Sequence, residues 1–398
     1  MTSDPRAHLA PTYAPPADLV IERGEGCWLI AEDGRRYLDF YAGIGVNALG
    51  HCHPRLVKAL TDQAGKLWHT ANSLRIPSQE ALADLICANS FADRVFFSNS
   101  GAEAWECGLK AIRRYFWHKG EGHRTRMITV EGAFHGRTLA AISAAGRPAL
   151  TDGFAPLLDG FDVVPATVEA IAAAITPETG SIHLEPISGE GGLIAHPPEF
   201  LQALRKLCDD HGLLLFLDEV QCGNARTGKL FAQDWAGITP DVVCTAKGMG
   251  GGFPVGACLM TAEIGDTLVL GSHGTTYGGN PLAMAVAHEV YSIFTEDGFM
   301  QSVLDRANHL QSRLEQLVTD LPDVFVEVRG AGLMRGVKLA EGVENTKMVS
   351  ALRDTGLLTV KAGDNVVRLL PPLIVSKGEI DQAADMLAST AKAMMATG

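Results

Sequence analysis

Residues 213–223 read LLLFLDEVQCG, and residues 245–257 read TAKGMGGGFPVGA. The first begins with an apolar run, Leu213–Leu217, that is short and β-like. Such a run predicts a buried strand of a parallel sheet. It ends in two acids, Asp218 and Glu219. In open α/β sheets, ligands bind at the carboxyl ends of the strands, and both acids fall there. The second stretch carries one lysine, Lys247, on a turn in which five of the next eight residues are Gly or Pro. That is a conformationally specified loop rather than a solvated one. An acid that keeps a pyridine nitrogen protonated and a lysine that forms a Schiff base are what pyridoxal phosphate (PLP) requires. A lysine in a dry site also loses its proton more easily.

Outward from this centre the chain keeps an α/β rhythm. Helices are expected at Ser78–Ala88 and Gly101–His118, the latter with Trp105, Leu109, Ile112 and Phe116 on one stripe. Strands are expected at Arg94–Phe97, Met127–Val130, Asp162–Val164, Ser181–Leu184 and Asp241–Thr245. This alternation implies a mostly parallel central sheet with helices on both faces. After Tyr277 the pattern shifts to two long helices, Pro281–Thr295 and Gln301–Leu317, then short strands and an amphipathic helix, Lys377–Met395. Residues 1–48 read as a proline-rich arm and a hairpin turning at Asp33-Gly34, residues 49–278 as a large cofactor-binding domain, and residues 279–398 as a small α+β domain. The arm and hairpin are expected to pack with the small domain.

A length of 398 residues suits two or three domains. The net charge of −13 argues against a nucleic-acid partner, which needs a basic stripe. None of the eight cysteines is spaced as C-x-x-C, and His51-Cys52-His53 has no ligand cluster around it, so no metal site is expected. No apolar run approaches the roughly 20 residues of a membrane span. The first residues lack a signal-peptide pattern. The expected setting is the cytoplasm, with reduced cysteines.

Other motifs admit two readings each. Ser100-Gly101-Ala102 opens a helix and suits a phosphate cradle, while Ser100 with Glu103 also spells a capping box. Phe134 follows a strand and suits stacking on a planar ring. Arg137 suits a carboxylate, or is a surface arginine. Glu190 lies in a glycine-flanked loop. Thr276 precedes a helix. Arg368 is a charge in an apolar β-like run and wants an anion. Gly223–Lys229 nearly spells a P-loop, but Leu230 stands where a hydroxyl must hold magnesium.

In order, these segments resemble the class III, fold-type I PLP-dependent aminotransferases. The resemblance runs from Tyr37-Leu38-Asp39-Phe40 to Arg368-Leu369-Leu370-Pro371-Pro372. VNALGHCHP at 46–54, FHGRTLAAISAAG at 134–146 and DGFAPLLDGF at 152–161 are most similar to the bacterial acetylornithine aminotransferases. The resemblance implies a homodimer with active sites at its interface. Lys247 would be the Schiff-base lysine and Asp218 the partner of the ring nitrogen. Gln221 would contact the phenolic oxygen, and Phe134 the ring face. Ser100, Gly101 and Ala102 would hold the phosphate, with Thr276 reaching it from the neighbouring subunit. Arg137 would bind the carboxylate of N2-acetylornithine. Arg368 would bind that of glutamate or 2-oxoglutarate, with Glu190 masking it in the other half-reaction. Succinylornithine, N-succinyl-diaminopimelate, ornithine and 4-aminobutyrate are the alternative substrates, free ornithine being disfavoured because Gly43 offers no side chain where the ornithine enzymes carry a tyrosine. A P-loop hydrolase and a non-catalytic regulator are the readings from other classes. Ser188, Thr275, Asn224-Ala225 and Trp105 depart from the family pattern.

Overall fold

The computed structural model describes residues 7–397; the first six residues of the expected arm, and Gly398, lie outside them. Its centre is a seven-stranded sheet. In chain order its strands are β1 (Arg94–Ser98), β2 (Arg126–Val130), β3 (Phe161–Val164), β4 (Thr179–Leu184), β5 (Leu214–Asp218), β6 (Val242–Thr245) and β7 (Gly256–Met260). Across the sheet they run β1-β7-β6-β5-β4-β2-β3. Neighbours are parallel except for β7, which is antiparallel to both β6 and β1. The lysine loop returns the chain directly to β7, with no crossover helix, and that reversal sets its direction.

Strand β5 is the middle strand, and all five of its residues are buried. Full burial on both faces explains its unbroken apolar run. Each fully buried Leu or Phe there contributes about 1.5–3 kcal/mol. Helix Gly101–His118 lies close to the sheet because Gly108 has no side chain: a Cβ there would stand 2.5 Å from the Phe216 ring. Ser100 caps this helix, its Oγ accepting from Glu103 N at 3.3 Å.

A second, antiparallel sheet contains Phe325–Ala331, Met334–Leu339, Val366–Leu369 and Val360–Ala362 in that spatial order. The N-terminal strands Ile21–Glu25, Trp28–Ala31 and Arg36–Asp39 form a meander whose last strand pairs in parallel with Leu357–Leu358. Helix Pro281–Phe294 packs on helices Pro54–Ala64 and Pro77–Ala88. A small hairpin, Ile187–Ser188 with Ile194–Ala195, carries Glu190 in its loop. The near-P-loop at 223–229 is followed by turns and the 3₁₀ segment Ala232–Trp235 rather than by a helix opening at its glycines. Without that helix N-terminus it lacks the anion site of a P-loop.

Candidate active site

A cavity of about 340 Å³ opens at the carboxyl end of β5. Its wall includes Ser100, Gly101, Ala102, Phe134, Glu190, Asp218, Gln221 and Lys247. Strand alternation separates the two adjacent acids. Asp218 faces the cavity. Glu219 turns the other way and accepts from Ala232 N (2.5 Å) and Gln233 N (2.8 Å). Burial pushes the Glu219 carboxyl up to about 8, against the two backbone N–H groups that pull it down, and the side chain braces the loop.

Asp218 is backed by a chain of buried side chains that local motifs do not reveal. Its Oδ2 lies 2.9 Å from His135 Nδ1. His135 Nδ1 is also 3.1 Å from His183 Nε2. Trp105 Nε1 donates to His183 Nε2 at 2.7 Å, which makes that nitrogen an acceptor. His183 Nδ1 then carries the proton and donates to Phe216 O at 2.9 Å. Burial holds the His183 pKa well below its usual value, with His135 adding to the effect, so the ring stays neutral. Trp105 also stacks on His135, with the ring planes 8° apart. Trp105 therefore has a specific partner in this chain.

Lys247 sits at a left-handed φ of 46°, rare for a residue with a side chain. Asn224 holds the loop in place: its Nδ2 donates to Thr245 Oγ1 (2.8 Å) and Ala246 O (2.9 Å), and Tyr291 O–H donates to its Oδ1 (2.8 Å). Asn224 and Ala225 both take positive φ, the conformation for which glycine is usual. Burial lowers the Lys247 pKa and Arg368 lowers it further, while Asp218 and Glu185 oppose them.

At the other end of the cavity is the first turn of helix Gly101–His118, whose N–H groups have no intrahelical acceptor. The Ser100 cap and the anion-facing turn coexist, so the two readings of this motif are compatible. Glu185, on the same wall, accepts from Phe134 N (3.1 Å) and Gly189 N (3.2 Å). Burial, with Asp218 nearby, pushes its carboxyl up to about 7. Arg368 is 1% exposed and donates to Gln221 Oε1 at 2.9 Å and to Glu190 Oε1 at 2.6 Å. Its Nε is buried without a partner among the described residues.

Three of the expected residues lie outside this wall: Arg368, which reaches Gln221 and Glu190 on it, Arg137 and Thr276. Arg137 is exposed, its guanidinium carbon 5.5 Å from the Phe134 ring centre. Thr276 is exposed on the stretch before helix Pro281–Phe294. Ser188 is buried beside Gly191, where a Cβ would stand 2.5 Å from the serine hydroxyl. Gly43 takes φ 62° and does not line the cavity.

The family model for class-III aminotransferases matches residues 9–391. This chain is a class-III aminotransferase. It is 56% identical to an acetylornithine aminotransferase of Brucella melitensis over 368 residues, 92% of this chain and 91% of that protein. Among solved structures it is similar to the N-acetylornithine aminotransferase of Stenotrophomonas maltophilia K279a, with 35% identity, TM-score 0.84, and 96% and 98% of the two chains covered. The ornithine aminotransferase of Toxoplasma gondii, whose structure has partial PLP occupancy at the active site, aligns with 31% identity and TM-score 0.92 over 98% and 93% of the two chains. The aminotransferase has the fold-type I architecture, and PLP is its cofactor. The cavity fits that group: a buried acid stands at one end and an anion-attracting helix turn at the other, with a lysine of lowered basicity opening onto the space between.

Proposed function

We propose that this aminotransferase moves the δ-amino group of N2-acetyl-L-ornithine to 2-oxoglutarate, giving N-acetyl-L-glutamate 5-semialdehyde and L-glutamate, a step of arginine biosynthesis. Relatives of that name at 51–56% identity, over 92–98% of this chain, support the reading. The observation that carries it is the Glu190–Arg368 pair. One substrate gives up a terminal amine and the other an α-amine, so their carboxylates lie at different distances from the reacting nitrogen. An arginine masked by Glu190, and freed when glutamate enters, lets one cavity serve both.

PLP, when bound, supplies the carbonyl that takes up the amino group and a ring that withdraws electrons. The chain supplies the remaining functions. Lys247 anchors the cofactor and moves protons at the amine-bearing carbon, for which its lowered basicity suits it. Asp218 pairs with the ring nitrogen, and His135 holds Asp218 in place. Phe134 would cover a face of the bound ring, and Gln221 would contact its phenolic oxygen. Ser100, Gly101 and Ala102 hold the phosphate at the helix turn. Arg137 receives the acetylornithine carboxylate from the cavity mouth.

Thr276 reaches a phosphate only from a second copy in this reading, so the working unit is a homodimer. Apolar side chains exposed beside it support that assembly: Tyr277, Trp68, Leu74 and the fully exposed Leu270. In this reading residues 49–278 are the cofactor-binding unit, and the described residues of 1–48 and 279–398 make up the small domain. The proposed location is the cytoplasm; no helix among the described residues is long and apolar enough to cross a membrane.

The test is the visible spectrum of the PLP-loaded protein titrated with N2-acetylornithine, 4-aminobutyrate and ornithine without a keto acid. Bleaching by acetylornithine at far lower concentration than by the others supports the assignment. Bleaching by another amine alone moves the function to that branch.

A further inference from the structure

A second cavity, of about 410 Å³, lies behind the Glu190 hairpin. Ligand pockets typically span roughly 300–1,000 Å³. Pro186, Ile187 and Ala195 from the base of the hairpin form one side, and Leu304 and Ala307 of helix Phe299–Asp320 form another. The aminotransferase chemistry uses none of these residues.

The lining is apolar with a few unsatisfied polar atoms. Arg335 donates from Nε to Gly332 O (3.2 Å), from Nη1 to Gly330 O (2.5 Å) and from Nη2 to Gln311 Oε1 (2.6 Å). A guanidinium has five N–H groups, so two remain free of these bonds. No carboxylate pairs with Arg335 within 4.0 Å among the described residues, and its neighbours are carbonyl and amide oxygens. Arg335 is half-buried, with dipoles at hydrogen-bond distance and Glu315 as the carboxylate that acts on it from further off. Thr227, 2% exposed, has a buried Oγ1 without a partner among the described residues, and His196 likewise has a buried Nε2 without one. Burial pushes the His196 pKa down to about 4, so its ring is neutral at pH 7. No acidic residue lines the cavity, which disfavours amines. A single cation favours a monoanion over a phosphate.

We propose that this cavity binds a small branched aliphatic monocarboxylic acid carrying one hydroxyl or amide group. The carboxylate takes the free N–H groups of Arg335. The hydroxyl or amide satisfies Thr227 or His196, and the aliphatic body displaces water from Ile187, Trp235 and Leu304. The occupant touches the base of the hairpin whose loop carries Glu190. It braces that hairpin against helix Phe299–Asp320 and favours the closed Glu190–Arg368 pair. This coupling rests on the proposed function; the binding site does not.

The test is calorimetric titration of the PLP-loaded dimer with 2-hydroxy-4-methylpentanoate, and with its amide as control. The acid is expected to bind with a Kd of about 1 mM or tighter, and the amide not to saturate. Arg335→Gln should weaken the acid at least about tenfold by removing a charge-assisted bond. Asn308→Trp, at an exposed position of the rim, should block entry without touching the core. It carries the test if Arg335→Gln does not fold. Absence of binding, or binding by both variants as tight as by the unaltered protein, would overturn the site. By reciprocity glutamate should weaken the acid only by the factor with which the acid weakens glutamate, and full competitive displacement would also overturn it. With the acid bound, the glutamate half-reaction should need at least about twofold more glutamate, and the acetylornithine half-reaction no more amine. Binding without that difference removes the coupling. Failure of both half-reactions removes the proposed function and leaves the titration as an independent result.

Discussion

Replacing Glu190 by Gln tests the switch most directly. In the structure Glu190 Oε1 stands 2.6 Å from Arg368 Nη2. The arginine is buried, and the glutamate side chain is 34% exposed. In the proposed reading, incoming glutamate must break this bond before its α-carboxylate reaches Arg368. A hydrogen bond to a charged group is worth about 1.5–3 kcal/mol. Solvent screening at the exposed partner favours the lower end. Since about 1.4 kcal/mol is tenfold in affinity, Glu190→Gln should tighten glutamate about tenfold. The acetylornithine half-reaction should worsen, because Arg368 then stands with its charge uncovered beside an incoming amine. Stopped-flow absorbance of each half-reaction, run with a single amine, measures both. Glutamate affinity that stays constant or falls in a normally folded variant would refute the masking argument.

Lys247→Ala should lower turnover by at least about a thousandfold, the scale of a lost general base. It should leave the melting temperature of the cofactor-free protein equal or higher, because a desolvated buried amine is removed, while the left-handed backbone stays as strained with alanine as with lysine. Arg368→Ala should impair the glutamate half-reaction far more than the acetylornithine one; equal losses would remove the switch. Trp105→Phe should leave His183 Nε2 without its donor, at a cost of about 1–3 kcal/mol in a denaturant melt, and should change the pH at which the cofactor spectrum shifts, since the chain ends on Asp218. A spectrum with an unchanged pH profile would mean that Trp105 only fills space. Glu219 has a folded pKa of about 8 against an ordinary 4.5. A raised carboxyl pKa favours the folded state fully below the unfolded value, and that contribution is lost as pH rises through the folded one. The stability gap between wild type and Glu219→Gln should therefore narrow between about pH 4.5 and 8 in chemical melts; a constant gap would show that Glu219 is not the titrating group.

The strand pattern of the central sheet was legible because full burial leaves an unbroken apolar signature, as at Leu214–Asp218. Strand β7 escaped, since GACLM follows a glycine loop too closely to carry a period of its own. Most of the site was legible as strand-end motifs. Adjacent acids alone could not tell Asp218 from Glu219, but the two-residue period of a strand assigns them opposite faces. The Trp105–His183–His135 chain was not legible. Its members come from different elements, and only the sheet order brings them together. Glu185 went unnoticed beside Glu190 because its importance lies in two backbone N–H groups rather than in a side-chain motif. Arg137 and Thr276 are exposed in a single protomer; a second copy bears on Thr276 in the proposed reading.

The position of β7 also has a consequence during synthesis. Strand β1 finds its sheet neighbour only in β7, which leaves the ribosome about 160 residues later. At typical elongation rates of about 5–20 residues per second, that is a wait of roughly 8–30 s. Throughout it, the RVFFS segment has an unpaired backbone edge and two phenylalanines to shield. The last strand to join the sheet is also the one that fixes the far end of the lysine loop. A nascent chain therefore cannot complete its active site before the RVFFS strand has gained its one sheet neighbour.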